Sequence, residues 1–375
     1  MQRVKVQERA DKADKLEAIG LSFHAWDDYW NEGVAYKFES AEIDKLEAAA
    51  NELHGMCLNA ARYAINHNRL GQMGIPEQFH EAIRQSFDRN EFSLYGRFDF
   101  AFDGDQIKML EYNADTPTSL LESAVAQWDW MEEVKPGTDQ FNSLHERLIE
   151  QWQKFRGAKK VYFASLRDNE EDWVCVHYMM DTAAQAGLEV QHIWLDDIGY
   201  DPMNQVFVDD RNRPIEALFK LYPWEWLMRE DFAQYLTTTK TQFVEPIWKS
   251  VLSNKALLPI LWEVYRDHPL LLPSYFEADK LKSFAKKPFF SREGANVELH
   301  ENGLMQDFDT GPYGAEGYIY QQLIQLPKFD DVYPIIGAWI VGEESAGICI
   351  REDRLRITTN MSHFIPHYFT DNEEA

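Results

Sequence analysis

Cysteine is scarce in this sequence: Cys57, Cys175 and Cys349 are the only three in 375 residues. They are far apart, odd in number and form no Cys-x-x-Cys pair, which excludes a disulfide scaffold or a zinc ribbon and fits a reducing compartment. Long apolar runs are missing too. No stretch approaches the ~20 apolar residues of a membrane-spanning helix. The opening MQRVKVQERADKADKLEA is charged and lacks the apolar segment of a secretory signal, so the expected location is cytoplasmic. Positive charge is short, with 37 Lys and Arg against 63 Asp and Glu and a net charge of −26. Such a field repels nucleic acid and anionic membrane and attracts cations such as Mg²⁺ and polyamines; ordinary solubility explains it equally well. The chain has no Gly-x-Ser-x-Gly, no His-Glu-x-x-His, no Gly-Lys pair of a Walker A loop and no internal repeat.

What is there is core material. Hydrophobic residues make up 45% and aromatic residues 14% of the chain, ample for one large unit. The most informative stretch runs from Tyr95 to Ser119. Phe98, Phe100 and Phe102 alternate with Arg97 and Asp99, the period of a half-buried strand. In the second run Leu110 and Tyr112 alternate with Glu111 and Asn113. Asp103-Gly104 between the runs signals a hairpin. A three-residue loop would pair 101 with 107, 99 with 109 and 97 with 111, placing Arg97, Asp99, Glu111 and Asn113 on one face. Hard oxygen donors beside a guanidinium suit Mg²⁺ and phosphate. A solvated hairpin face with a cross-strand ion pair is the plain alternative.

Around this hairpin the periodicities predict a polar helix over 5–19. They predict a long helix capped by Ser40, with Ile43, Leu46, Ala50, Leu53, Cys57, Ala60 and Ala64 on its core stripe, and a further helix over 76–88. After Asn113 a helix is expected to start near Thr116-Pro117 and run to about Glu133, its free N–H groups facing the hairpin. Another helix is expected over 139–156. A strand at 160–166, a helix at 171–186 with a stripe of Trp173, Val176, Met180 and Ala184, and a strand at 188–195 form a βαβ unit. Acidic Asp168 to Asp172 lies at the carboxyl end of its first strand, where open sheets bind ligands. Strands follow at 216–222, 285–290, 318–323, 335–341 and 345–351. Lys287 leads into the small polar loop Ser291 to Asn296, a phosphate-handling outline. Arg351, at the end of a buried strand, should meet a partner. Gly311, Gly314 and Gly317 precede a strand and so do not read as a dinucleotide fingerprint. His363 and His367 are separated by Pro366, which argues against a metal pair on one helical face.

Eight segments in order, LYGRFDF, LEYNADTPTSL, DNEED, LFKLYPWEWL, NKALLP, KKPFFSREGANV, EGYIYQQLIQLPKF and GAWIVGEESAGICIRED, resemble the synthetase part of the glutathionylspermidine synthase family and its short acid–amine ligase relatives over roughly residues 10 to 370. The resemblance implies an α/β (α+β) ATP-grasp fold with a preceding βαβ-type lobe. It implies one unit over 1–375, with N-terminal helices and the hairpin in 1–155, the βαβ lobe in 156–250 and a nucleotide-binding lobe in 251–375. It implies an ATP- and Mg²⁺-dependent ligase joining a small-molecule acid to an amine, with no nucleic-acid or membrane partner. Asp99, Glu111 and Asn113 match metal ligands. Arg97 matches a group at the transferring phosphoryl, and Arg351 a late Arg reaching the reaction centre. Lys255, Lys287, Ser291 and Gly294 match phosphate contacts, and Gln321, Gln322 and Leu323 the adenine hinge. Thr116, Thr118 and Ser119 match the acid site, and Glu170 and Glu171 the amine site. The acid segment has Pro117 and lacks the cysteine expected of the bifunctional enzyme, and the chain has no room for an amidase. A non-catalytic polyamine- or nucleotide-binding protein, or a kinase stopping at the phosphorylated acid, are the competing readings.

Overall fold

The computed structural model describes residues 1–371. The hairpin forms one edge of a five-stranded antiparallel sheet. Its order is His363–Ile365, Glu344–Asp353, Tyr333–Val341, Tyr95–Phe102, Ile107–Asn113. The strand Tyr95–Phe102 is buried along its whole length, so its aromatic parity fills one side while Arg97 and Asp99 face the other. A hairpin from the first third of the chain thus shares a sheet with strands from the last sixth.

The register differs from expectation in an instructive way. The observed partners are Phe102 with Ile107, Ala101 with Lys108 and Phe100 with Met109; then the register shifts, and Asp99 pairs with Glu111 and Arg97 with Asn113. The turn spans four residues, Asp103 to Gln106, with the Asp103 carboxylate accepting from the Asp105 and Gln106 amides. A four-residue turn alone would reverse the parity of one strand against the other. A bulge at Leu110 inserts one more residue and restores it. Two changes cancel, so Arg97, Asp99, Glu111 and Asn113 still share a face, two positions away from the expected pairing.

A four-stranded parallel sheet lies beside this one, in the order Gln242–Val244, Ala217–Lys220, Lys160–Ser165, Glu189–Trp194. The helix Glu170–Gln185 makes the crossover, capped by Asn169, whose side chain accepts from the Asp172 amide, and followed by Gly187 at φ 95°. Its buried face is Cys175, Val176, Met179, Thr182 and Ala183. The expected stripe is therefore rotated: Trp173 is exposed and stacks on Trp194 with ring centroids 5.1 Å apart. A third sheet, antiparallel, has the order Ser274–Tyr275, Tyr318–Gln322, Phe284–Pro288, Glu298–Glu301, Leu304–Phe308.

The long helix runs from Ser40 to Asn66, and every residue of its expected stripe is buried. Its cap is Glu39, not Ser40: Glu39 is extended and forms a capping box with Glu42. The first residues split into a strand, Gln2–Lys5, and a helix, Lys12–Ala18. The helices expected over 76–88 and 139–156 are shorter, His80–Asp88 and Leu144–Gln153. The helix after the hairpin begins later than Thr116. The Asn113 side chain accepts from the Asp115 and Thr116 amides, which folds 113–116 into a turn. Ser119 then sits in the left-handed region at φ 71°. The helix starts after it, passes through a π turn at Glu122–Ala126 and continues as Gln127–Val134.

Two buried ion pairs join the parallel sheet to the ends of the hairpin. At its exit, Lys220 Nζ lies 2.7 Å from Asp115 Oδ1, both side chains fully buried, and Asp115 Oδ2 accepts from the Trp224 amide at 2.8 Å. At its entry, Glu245 Oε1 accepts from the Leu94 and Tyr95 amides at 2.8 and 3.0 Å, while Lys249, 3.4 Å from Glu245, donates to the Tyr95 carbonyl at 2.9 Å. Removing one partner of such a pair leaves an uncompensated buried charge, at a cost of about 3–5 kcal/mol. Lys220→Met is accordingly expected to lose about that much unfolding free energy in urea titrations followed by tryptophan fluorescence. A change under about 1 kcal/mol would show that the pair is not buried in solution.

Candidate active site

One cleft opens between the three sheets. The hairpin supplies its floor. Arg97 is held from three sides: Nε lies 3.2 Å from Asp99 Oδ1, Nη1 donates to the Thr118 carbonyl at 2.8 Å, and its guanidinium lies over the Trp339 ring at 5.5 Å. Burial disfavours its charge, but the Asp99 carboxylate outweighs burial and raises its pKa. The other Asp99 oxygen accepts from Arg351 Nη2 at 3.0 Å. Arg351 thus meets the partner its strand position called for. Glu111 faces Asp99 across the hairpin and lies 3.1 Å from Lys255 Nζ. Burial pushes this carboxylate up, but Lys255 and Lys287 hold it well below the usual range.

Lys287 donates to the Leu110 carbonyl at 3.0 Å and to Gln321 Oε1 at 2.8 Å. The bulge that restores the hairpin parity therefore also offers a carbonyl to this lysine. Burial lowers the Lys287 pKa to about 8. Gln321 donates in turn to the Met109 carbonyl at 3.2 Å, so its side chain is occupied in orienting Lys287. The amides of Gln322 and Leu323 donate to Pro273 and Ser283. Beyond them the cleft wall is apolar, with Leu110, Ala285, Val297, Leu299, Leu323 and Ile335.

The loop Ser291 to Asn296 covers the cleft and is fastened at several points. Lys255 donates to the Ser291 carbonyl and Ser291 Oγ to the Ala295 carbonyl. Arg292 reaches Glu225 at 2.9 and 3.0 Å and Thr116 Oγ1 at 2.6 Å. Gly294 has φ 73°, and a Cβ there would lie 2.6 Å from Ile357 and 2.7 Å from the Thr358 carbonyl.

Another part of the lining is acidic. Glu171, Asp172 and Glu293 form it, none within ion-pair distance of a described cation. Burial, Glu171 and Glu293 raise the Asp172 pKa to about 7, and burial with Glu171 raises that of Glu293. Glu170 does not belong here. It is exposed at the start of its helix, and Asp172 takes the second place in the cleft. Every other residue expected at the site lines the cleft: Arg97, Asp99, Glu111, Asn113, Thr116, Thr118, Ser119, Glu171, Lys255, Lys287, Ser291, Gly294, Gln321, Gln322, Leu323 and Arg351.

Sequence reasoning missed Tyr29 and Glu225, gave no role of their own to Arg292 and Glu293 within the loop, and named Asp172 only as part of the acidic stretch 168–172. Arg292 and its partners lie 67 and 176 residues apart, beyond any periodicity. It also missed an asymmetry in charge. Nine carboxylates are buried among the described residues: Glu32, Glu42, Asp99, Asp115, Glu122, Asp209, Glu225, Glu245 and Glu352. All but Glu122 have a cationic partner. The cysteines are buried and their thiols are pushed up by burial, so none is a thiolate at neutral pH.

A cation-rich floor, an apolar wall, a fastened loop and an acidic corner in one cleft between sheets define an ATP-grasp type ligase, and the comparisons agree. Glutathione synthetase-like folds are its structural neighbours. The GSS30 effector of Globodera pallida superposes with TM-score 0.60 at 12% identity over 96% of both chains. A candidate γ-glutamylcysteine synthetase of Methylobacillus flagellatus reaches 0.51 at 11% identity, over 86% of this chain and 88% of that one. A sequence model described as the glutathionylspermidine synthase preATP-grasp domain matches residues 3–370. This chain belongs to the glutathionylspermidine synthase family and is an ATP-dependent carbon–nitrogen ligase. A candidate acid–amine ligase of Haemophilus influenzae is 44% identical over 96% of this chain and 97% of its own length. Crithidia fasciculata trypanothione synthetase and the Escherichia coli bifunctional glutathionylspermidine synthetase/amidase are each 31% identical, over 83% and 88% of this chain. The chain spans 53% and 58% of those two proteins.

Gly294→Ala is expected to loosen the cleft cover. An L side chain is strained at that φ and its Cβ meets backbone on the far side. Limited proteolysis should cut between 291 and 296 several-fold faster than in the wild type, with a melting loss equivalent to about 1–3 kcal/mol. Unchanged cleavage would show that the loop is not seated on Ile357 and Thr358.

Proposed function

We propose that the cleft forms an amide through an acyl phosphate. A substrate carboxylate attacks the γ-phosphoryl of ATP and ADP leaves. An amine then attacks the acyl carbon and phosphate leaves. The observation that supports this most is the polarity of the cleft. Arg97, Arg351, Lys255 and Lys287 line it, each held by Asp99, Glu111 or a carbonyl, and so do three carboxylates with no cation within ion-pair distance, Glu171, Asp172 and Glu293. Phosphoryl transfer needs positioning and charge stabilisation more than a nucleophilic side chain. The four cations face the transferring group, each fixed by a carboxylate or carbonyl before substrate arrives. Thr116, Thr118 and Ser119 border the acid, and Ser291 and Gly294 bring the loop backbone over the phosphates.

Asp99 and Glu111, directly opposite on neighbouring strands, and the Asn113 carboxamide make a hard-oxygen set that fits Mg²⁺, which would complete its shell with phosphate oxygens and water and neutralise phosphoryl charge. The apolar wall from Leu110 to Ile335 takes the adenine, with Gln322 and Leu323 at its edge. The carboxylates of the acidic corner hold an amine that is cationic in solution, and a polyamine fits because several carboxylates share the corner. The loop excludes water that would hydrolyse the acyl phosphate.

The direct test is ADP release with Mg-ATP across a matrix of peptide acids and polyamines, with mass spectrometry of each well. A well that needs both components and yields a product one water lighter than their sum confirms the ligase and names its substrates. ADP release with acid alone and no coupled product would make the protein a kinase. Asp99→Asn should lower turnover at least about 100-fold while leaving the circular dichroism spectrum unchanged. Near-normal turnover of that variant would exclude Asp99 from the phosphoryl site.

A further inference from the structure

Glu122 is 2% exposed and, of the nine buried carboxylates, is the one without a cation. Its side-chain partner is Tyr29, whose hydroxyl donates to Oε1 at 2.6 Å. The same hydroxyl lies 3.3 Å from Ser119 Oγ, and both Tyr29 and Ser119 line the cleft. Glu122 opens the π turn of its helix, a feature that recurs at functional sites. A carboxylate kept from water without a counter-charge is costly, and each of the other eight buried carboxylates among the described residues has an Arg, Lys or amino terminus beside it. Here the one open direction leads through two hydroxyls into the cleft, which Glu171 also lines.

We infer that Glu122 is the proton acceptor for the attacking amine, with the Tyr29 hydroxyl passing the proton between them. The inference rests on the ligase reading above. The amine arrives as an ammonium and cannot attack until its lone pair is free. One N–H proton moves to Tyr29 Oη as the Tyr29 hydroxyl proton moves to Glu122. The freed lone pair forms the C–N bond, the C–O bond to phosphate breaks, and phosphate leaves with that electron pair. The second N–H proton goes to the departing phosphate. Glu122 returns its own proton to solvent by the same path once the cleft empties. Tyr29 touches the amine; Glu122 acts through it. The titratable and charged groups facing Glu122 are Tyr29, Glu171 and Cys175 on the helix Glu170–Gln185, and Arg97 on the hairpin. Burial raises the Glu122 pKa to about 7, so the group exchanges protons near neutrality.

The test compares two nucleophiles on the acid that the matrix returns. One is the polyamine found there, spermidine being tried first. The other is hydroxylamine, which is uncharged at neutral pH and needs no proton acceptor before attack. Glu122→Gln and Tyr29→Phe are each expected to lower polyamine-dependent turnover about 100-fold, and hydroxamate formation far less. The wild-type kcat/KM for the polyamine should rise with pH through about 7, where Glu122 and Asp172 both lose their protons, and the limb should become shallower in Glu122→Gln, with only the Asp172 part left. Equal losses with both nucleophiles in Tyr29→Phe, or a limb of unchanged steepness in Glu122→Gln, would overturn the inference and leave a structural hydrogen bond. A wild type that forms neither hydroxamate nor amide would overturn the ligase reading itself, a different failure from the loss of one nucleophile alone.

Discussion

The hairpin Tyr95–Asn113 is gripped at both ends by buried ion pairs, and the position of everything in the cleft depends on that grip. Glu245 and Lys249 take the N–H and C=O groups where the hairpin enters its sheet, and Lys220 takes Asp115 where it leaves. Both clamps come from the segment 220–249, so the parallel sheet and the antiparallel sheet are set against each other through the hairpin. Against a well-packed hydrophobic replacement, a buried ion pair adds little net stability. Its consequence here is geometric. In the arrangement these pairs hold, the acidic lining and the cation floor open into one cleft.

Much of this was legible in the sequence, and the reasons differ from element to element. The hairpin face was readable because strand parity is a local property. Its register was not, because the turn length and the Leu110 bulge each shift it by one and alternation reports only the parity that survives. The stripe of the long helix was readable because seven small or apolar residues repeat at helical spacing. The stripe of the crossover helix was misread because Trp173 is large and apolar yet stacks outside on Trp194 and meets the His177 ring at a tilt of 46°, with ring centroids 3.6 Å apart in the second case. The late start of the helix after the hairpin was hidden as well. Pro117 permits a first helical turn, and only the three-dimensional demand of the Asn113 turn and the Lys220 pair prevents one.

The ordered motifs brought sixteen of the expected residues into the cleft, and this also has a physical basis. Those motifs sit on strands and loops where a side chain can face the cleft. Glu170 fell outside because Asn169 caps the helix, which turns Glu171 and Asp172 inward and leaves the first helical residue in solvent. The pairings missed altogether, Arg292 with Glu225 and Tyr29 with Glu122, are ones in which each member looks ordinary alone. An Arg in a polar loop and a Glu on a helix carry no signal until the fold places a partner against them.

Arg292 shows why such pairs matter for chemistry. Its guanidinium joins the loop over the cleft to Glu225 on one side and to Thr116 in the acid segment on the other. Seating of the acid and seating of the loop are therefore not independent. On the proposed reading, an acid that competes for the Thr116 hydroxyl would change what Arg292 can hold, and the backbone proposed to cover the phosphates hangs from the next residues, Glu293 and Gly294. Glu293 also carries one of the carboxylates of the acidic corner, so a cationic amine there draws on the same loop. An acyl phosphate survives only while water is kept out. Under the proposed mechanism, a cover whose contacts reach both proposed substrate positions would close most completely when both are filled, the condition under which closure prevents hydrolysis without obstructing amide formation.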